Sequence, residues 1–139
     1  MPAPNISPAD PRAVPKGPLN GCHILVVEDE FLIADDIAGL LRDAGANVIG
    51  PASSLPEGMR LARDTQHINA AVLNIDLGGV TVFPLADQLL GRGVRIMFLT
   101  GYGESNIPAE YAAIPCCKKP TGPACVIEEL TALLRPLAA

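Results

Sequence analysis

An open α/β sheet of parallel strands is the fold class this sequence predicts, and two observations predict it. From about residue 22 onward, short apolar runs alternate with stretches of helical period. The runs are apolar nearly without interruption, as expected of strands covered by helices on both faces. Five strands alternating with five helices imply parallel strands joined by right-handed crossovers. In such open sheets, ligands bind beyond the carboxyl ends of the strands.

Each element has its own justification. Residues 1–20, MPAPNISPADPRAVPKGPLN, are rich in proline and almost without apolar periodicity, which predicts an extended or disordered tail before a folded domain over 21–139. HILVVED is a β-branched and leucine run, the first strand. In FLIADDIAGLLRDAG, residues Ile33, Ile37, Leu40, Leu41 and Ala44 share one helical face, and Gly45 stops the helix. ANVIGP is a short second strand, and LPEGMRLARDT a helix with Leu55, Met59 and Ala62 inward. AAVLNI is the third strand. VFPLADQLLGRG is a helix that ends at glycine, with Pro84 in its first turn. VRIMFLTGYG is the fourth strand, SNIPAEYAAI a short fourth helix interrupted by Pro108, and PCCKKP a brief fifth strand. PACVIEELTALLRPL closes the chain as a helix with Val126, Ile127, Leu130, Leu133 and Leu134 inward.

Composition narrows the function. The chain has 139 residues, 49% of them hydrophobic, enough for one domain with a sizeable core. The formal net charge of -5, without any cluster of Lys and Arg, argues against a nucleic-acid surface. No apolar run approaches the roughly 20 residues of a membrane span, and no basic start with an apolar segment marks a signal peptide. These features predict a cytoplasmic protein. Cys22, Cys116, Cys117 and Cys125 lack metal-ligand spacing and are read as buried thiols, not as a disulfide framework or a zinc site. On a strand, Cys116 and Cys117 point to opposite faces.

The strand ends carry the chemistry. Strand one ends in Glu28 and Asp29, strand three in Asn74 and Asp76, strand four in Thr100 and strand five in Lys119. An isolated acidic pair is usually a solvated turn, and a lone Lys-Pro or Thr-Gly is usually a loop or strand end. Their joint appearance, each at the end of its own strand, points instead to one crevice. Acids, a hydroxyl and an ammonium together suit a hard divalent cation and a phosphoryl group.

This constellation resembles the receiver domain of two-component response regulators. The resemblance covers about residues 22–135 and rests on ILVVEDE (24–30), AAVLNIDLGG (70–79), MFLTGYG (97–103) and KKP (118–120). It implies a flavodoxin-like, doubly wound sheet of five parallel strands in the order 2-1-3-4-5 with five helices. It further implies that Glu28 and Asp29 hold Mg2+, that Thr100 and Lys119 contact the phosphoryl group, and that the acceptor is an aspartate ending strand three.

The sequence departs from that pattern at the acceptor. Aligned with the family form L-D-V-N-L-G-G, the acceptor position is Asn74, and Asp76 stands two residues later. An amide carries no negative charge, is a poor nucleophile and removes one anionic metal ligand. In the family the second position lends the metal its backbone carbonyl. Asp76 lies on the same side of the strand, but roughly 6–7 Å further along it, whereas in-line transfer is sensitive to about 1 Å. Asp76 is therefore expected to assist the metal, with a role as substitute acceptor as the alternative. The family's aromatic switch position on strand five is Cys116. Tyr102, after Thr100, is the nearby ring, and MFLTGYG partly resembles the P-F-x-F-A-T-G-[GY] motif of α-proteobacterial single-domain receivers, in which the aromatic follows strand four. Switch and plain surface loop are even readings for Tyr102, and Phe98 is read as core.

The expected function is a stand-alone receiver-like signalling domain of a bacterial phosphorelay, degenerate at the acceptor, not an enzyme, and acting by protein binding. Mg2+ is expected to bind weakly through Glu28, Asp29 and Asp76. The expected partner is a histidine kinase or other two-component protein, met on the face of helix four, strand five and helix five (about 105–113, 115–118 and 125–134), a face that could also form a homodimer. One alternative retains phosphorylation, through Asp76 or because Asn74 is a laboratory replacement of a native aspartate. Another is a small phosphohydrolase, which would need D-x-D where the chain has N-I-D.

Overall fold

The computed structural model describes residues 17–101, 107–118 and 124–138. In chain order the elements are β1 (His23–Val27), α1 (Phe31–Asp43), β2 (Asn47–Ala52), α2 (Leu55–Asp64), β3 (Ala70–Asn74), β4 (Asp76–Leu77), β5 (Val80–Thr81), α3 (Phe83–Leu90), β6 (Arg95–Thr100), a 3-10 turn (Ala109–Tyr111), β7 (Cys116–Lys118) and α4 (Ala124–Ala138). Five strands pair in parallel in the order β2-β1-β3-β6-β7. That is the expected 2-1-3-4-5 order.

The apolar runs form strands because they are covered on both faces. All five residues of β3 are buried. On one face Leu25, Leu73 and Phe98 pack with Ala62 of α2 and Leu85 and Leu89 of α3. On the other, Ile24, Val72 and Met97 meet Ile37 and Leu41 of α1 and Val126, Leu130 and Leu134 of α4. The helical faces read from the sequence are thus the packed ones. α1 stops where Gly45 takes a φ of 99°, a value that glycine adopts at little cost. α2 starts at Ser54, whose hydroxyl accepts the Glu57 N–H at 3.3 Å, while the Glu57 carboxylate takes the Ser53 N–H at 3.1 Å. This is a variant of the capping box. Among the described residues, no helix is long and apolar enough to cross a membrane.

Three expectations need correction, and one feature is added. The fold is joined before residue 21: Leu19 is fully buried in the α1–α4 core, and its N–H bonds the Ala44 carbonyl at 3.0 Å. One apolar residue among prolines has no period, so the sequence pattern passed over it. The segment after β3, to which the sequence assigned no element, forms a hairpin. Asp76 pairs with Thr81 and Leu77 with Val80 around Gly78-Gly79, both at positive φ, the backbone a two-residue hairpin turn requires. The fourth helix is replaced, within its described residues, by the single 3-10 turn at Ala109–Tyr111, so among the described residues there are four α-helices where five were expected. Pro108 immediately precedes the turn, and proline supplies no N–H to a helix reaching back across it. Lastly, Cys117 of β7 is disulfide-bonded to Cys125 of α4, while Cys22 and Cys116 are not part of a disulfide. The opposite pointing of the adjacent pair is as expected: Cys116 is exposed and Cys117 buried.

Candidate functional site

β1, β3 and β6 lie side by side in the middle of the sheet, and each runs from apolar residues into one buried polar residue. These are Glu28, Asn74 and Thr100, 1%, 4% and 2% exposed. They are the buried polar or charged residues among those described, and all three fall at the same end of adjacent strands. The register explains why. Val27 pairs with Leu73, so Glu28 and Asn74 each follow a paired residue, and Asn74 pairs with Leu99, one residue before Thr100.

Asn74 is the hub. Its side-chain Nδ2 donates to Glu28 Oε2 at 3.2 Å, to Asp29 Oδ1 at 3.0 Å and to the Asp76 backbone carbonyl at 2.8 Å. Glu28 Oε2 also accepts the Glu30 N–H at 2.9 Å, which fixes that carboxylate at the start of α1. The Thr100 hydroxyl makes a long hydrogen bond of 3.4 Å to the Gly101 carbonyl. Asp29 is exposed at the rim. Beside the acids lies a cleft of about 150 Å3, lined by Glu28, Asp29, Phe31, Asp35, Pro51 and Ser53 among others.

The remaining residues singled out from the sequence are placed as follows. Asp76 turns its side chain away from the acids, where Oδ1 accepts the Gly79 N–H at 2.8 Å and closes the β4–β5 turn; only its carbonyl reaches Asn74. Lys119 and Tyr102 lie outside the described residues. Phe98 is core, fully buried.

The sequence reading missed Tyr111. Its ring is 4% exposed, stacks on Phe83 at 4.6 Å between centroids and meets Phe98 edge to face at 6.1 Å. Its hydroxyl donates to Asp87 Oδ1 on α3 at 2.6 Å. That hydrogen bond, with burial and the negative charge of Asp87, holds the phenol well above its ordinary pKa. The available signal was an aromatic residue just after Pro108 in an otherwise small-residue segment.

A five-stranded parallel sheet with two acids, an acceptor-position residue and a hydroxyl at its carboxyl ends defines a receiver-type site, and known proteins agree. The structure of SdrG from Sphingomonas melonis Fr1 superposes with a TM-score of 0.72 at 30% identity, covering 81% of this chain and 96% of that one. A CheY-like response regulator receiver domain protein from Methanospirillum hungatei JF-1 shares the fold, with a TM-score of 0.69 at 23% identity over 83% of this chain and 94% of that one. The phyllosphere-induced regulator PhyR of Methylorubrum extorquens is 33% identical over 90 residues, 63% of this chain. The chain spans about a third of the length of that curated relative, 34%. No family model matches. The chain belongs to the response-regulator receiver family.

Receiver domains generally bind Mg2+ at the acceptor site. Here the three oxygens around Asn74 are hard donors of the kind Mg2+ takes, at about 2.0–2.1 Å from the ion. The point on which they converge holds an amide nitrogen instead, at 2.8–3.2 Å. Among the described residues, no group of three or more His, Cys, Asp or Glu side chains is placed to hold a metal ion. As arranged, the site fits an N–H donor and not a cation.

Proposed function

We propose that this chain is a receiver-like signalling domain that works by binding another protein and is not switched by phosphorylation at residue 74. The observation that carries this reading is the chemistry of Asn74. A buried amide that donates to both acids stands where the family has its acceptor carboxylate. It offers no anionic oxygen to a phosphoryl group. The engagement of the Asp76 carboxylate with the Gly79 N–H weighs against Asp76 as a substitute acceptor. The partner is a histidine kinase or another two-component protein. The docking face combines the 3-10 turn, β7 and α4.

Intact-mass analysis after incubation with Mg2+ and a small acyl phosphate tests the reading. The wild-type chain is expected to stay unmodified, and Asn74→Asp to gain one phosphoryl group. A wild-type adduct that disappears in Asp76→Asn overturns the proposal.

A further inference from the structure

We propose that the Asn74 amide is a built-in substitute for a divalent cation. Its NH2 group bridges Glu28, Asp29 and the Asp76 carbonyl, keeps the acidic pocket assembled without metal, and thereby opposes metal binding. The inference rests on the reading of residue 74 above and adds what the residue does there.

The orientation of the amide follows from its surroundings. All three neighbouring atoms are acceptors: two carboxylate oxygens and a carbonyl. Turned the other way, the amide would present its own oxygen to three oxygens and withdraw its two protons from them, which is unfavourable beside the buried Glu28 carboxylate. With NH2 inward, two protons serve three acceptors, one of them shared.

Electrostatics gives this arrangement its purpose. Glu28 is 1% exposed, and Asp29 Oδ1 approaches the same nitrogen. Two carboxylates brought to one point repel unless positive charge lies between them. The amide hydrogens supply partial positive charge in place of an ion. The Glu30 N–H on Glu28 Oε2 adds a second donor from the backbone. Asp76 contributes its carbonyl because the β4–β5 hairpin holds its side chain outward on Gly79.

The same geometry disfavours a cation. An ion on the nitrogen's site would have to draw the oxygens in by about 1 Å. Asn74 would also have to rotate to offer Oδ1, breaking all three hydrogen bonds for a neutral ligand.

The experiment is thermal unfolding of the wild type, Asn74→Asp and the double variant Asn74→Asp/Asp29→Asn, each with chelator and with millimolar MgCl2. It is paired with NMR of the Asn74 side-chain NH2 in the wild type. The wild-type midpoint should be the same with chelator and with MgCl2, and its Asn74 NH2 resonances should stay in place. Asn74→Asp should lose several degrees in chelator, because three carboxylates now converge, and should recover them with MgCl2. The double variant, one carboxylate fewer, should regain much of that loss in chelator. Either of two results overturns the proposal: Asn74→Asp as stable as wild type in chelator, or wild-type NH2 resonances that shift with MgCl2. Phosphorylation at Asp76 would sink the functional reading and leave these midpoints unaffected, so the two failures are distinguishable.

Discussion

The polar ends of β1, β3 and β6 and the edge built from the 3-10 turn, β7 and α4 are held in place by different means. The central strands are buried almost along their whole length, and the polar residues that end them sit on continuous apolar packing. The edge has a strand of three residues and a turn of three. α4 packs its Val126, Leu130 and Leu134 on the sheet, but the 3-10 turn and β7 are tied mainly by specific contacts: the Tyr111 stack on Phe83, its hydrogen bond to Asp87, and the Cys117–Cys125 bond. A region held by few contacts opens at low free energy. The centre is therefore expected to be the more firmly held part, and the 3-10 turn and β7 the part that, in the function proposed above, a partner would act on. An amide that holds the central acids together without metal removes the usual reason for the centre to change.

The largest effect should come from Tyr111→Ala. Removing a buried aromatic ring costs about 3–5 kcal/mol, and here the ring joins the edge to α3 and β6 at once. Urea unfolding measures it. A loss under about 0.5 kcal/mol, the size of an ordinary surface substitution, would mean that the edge does not depend on this ring and would break the contrast drawn here.

Reduction of the disulfide should come next. Cys117 and Cys125 are 8 residues apart. Closing a loop of that length in the unfolded chain stabilises the fold by about 2–3 kcal/mol in the chain-entropy account. Dithiothreitol should lower the urea midpoint of the wild type accordingly and leave that of Cys117→Ala/Cys125→Ala unchanged. Equal sensitivity in both would place the effect elsewhere.

The contrast between centre and edge also separates what could be read from the sequence from what could not. The centre was legible because burial on both faces imposes continuous apolar runs, and the polar residues that interrupt them at the strand ends stand out. The sheet order came from the family resemblance, and the register that sets Glu28, Asn74 and Thr100 together follows from it. The direction of the amide was not legible: the sequence identified Asn74 as a missing carboxylate, and only the geometry makes it a donor to both acids. At the edge, pattern failed. Cys117 and Cys125 lie on different elements with no spacing motif, and Tyr111 is a single aromatic in a non-periodic stretch; ahead of β1, Leu19 likewise sits in a proline-rich stretch without apolar period. The Gly78-Gly79 hairpin was legible in principle, since two glycines between short apolar runs are a turn signal.

The smallest effect, and the sharpest probe of the edge, is Tyr111→Phe. The ring stays and only the hydroxyl is lost. A hydrogen bond of this kind is worth about 1 kcal/mol net, so at about pH 8, well below the ordinary tyrosine pKa, the wild type should exceed the variant by that amount. The sign of the pH dependence follows from the raised phenol. In the unfolded chain Tyr111 titrates near 10.0, whereas in the fold the Asp87 hydrogen bond, burial and the nearby negative charge keep the proton on. Above that pH the unfolded state binds fewer protons than the folded state, so stability falls as pH rises. The contribution is complete below the unfolded value and is lost on the alkaline side. The gap between wild type and Tyr111→Phe should therefore be constant through neutral pH and narrow above about pH 10. Urea midpoints of both proteins across that range measure it. A gap that widens with alkali would mean that the hydroxyl ionises more easily in the fold than outside it, which a proton shared with Asp87 forbids.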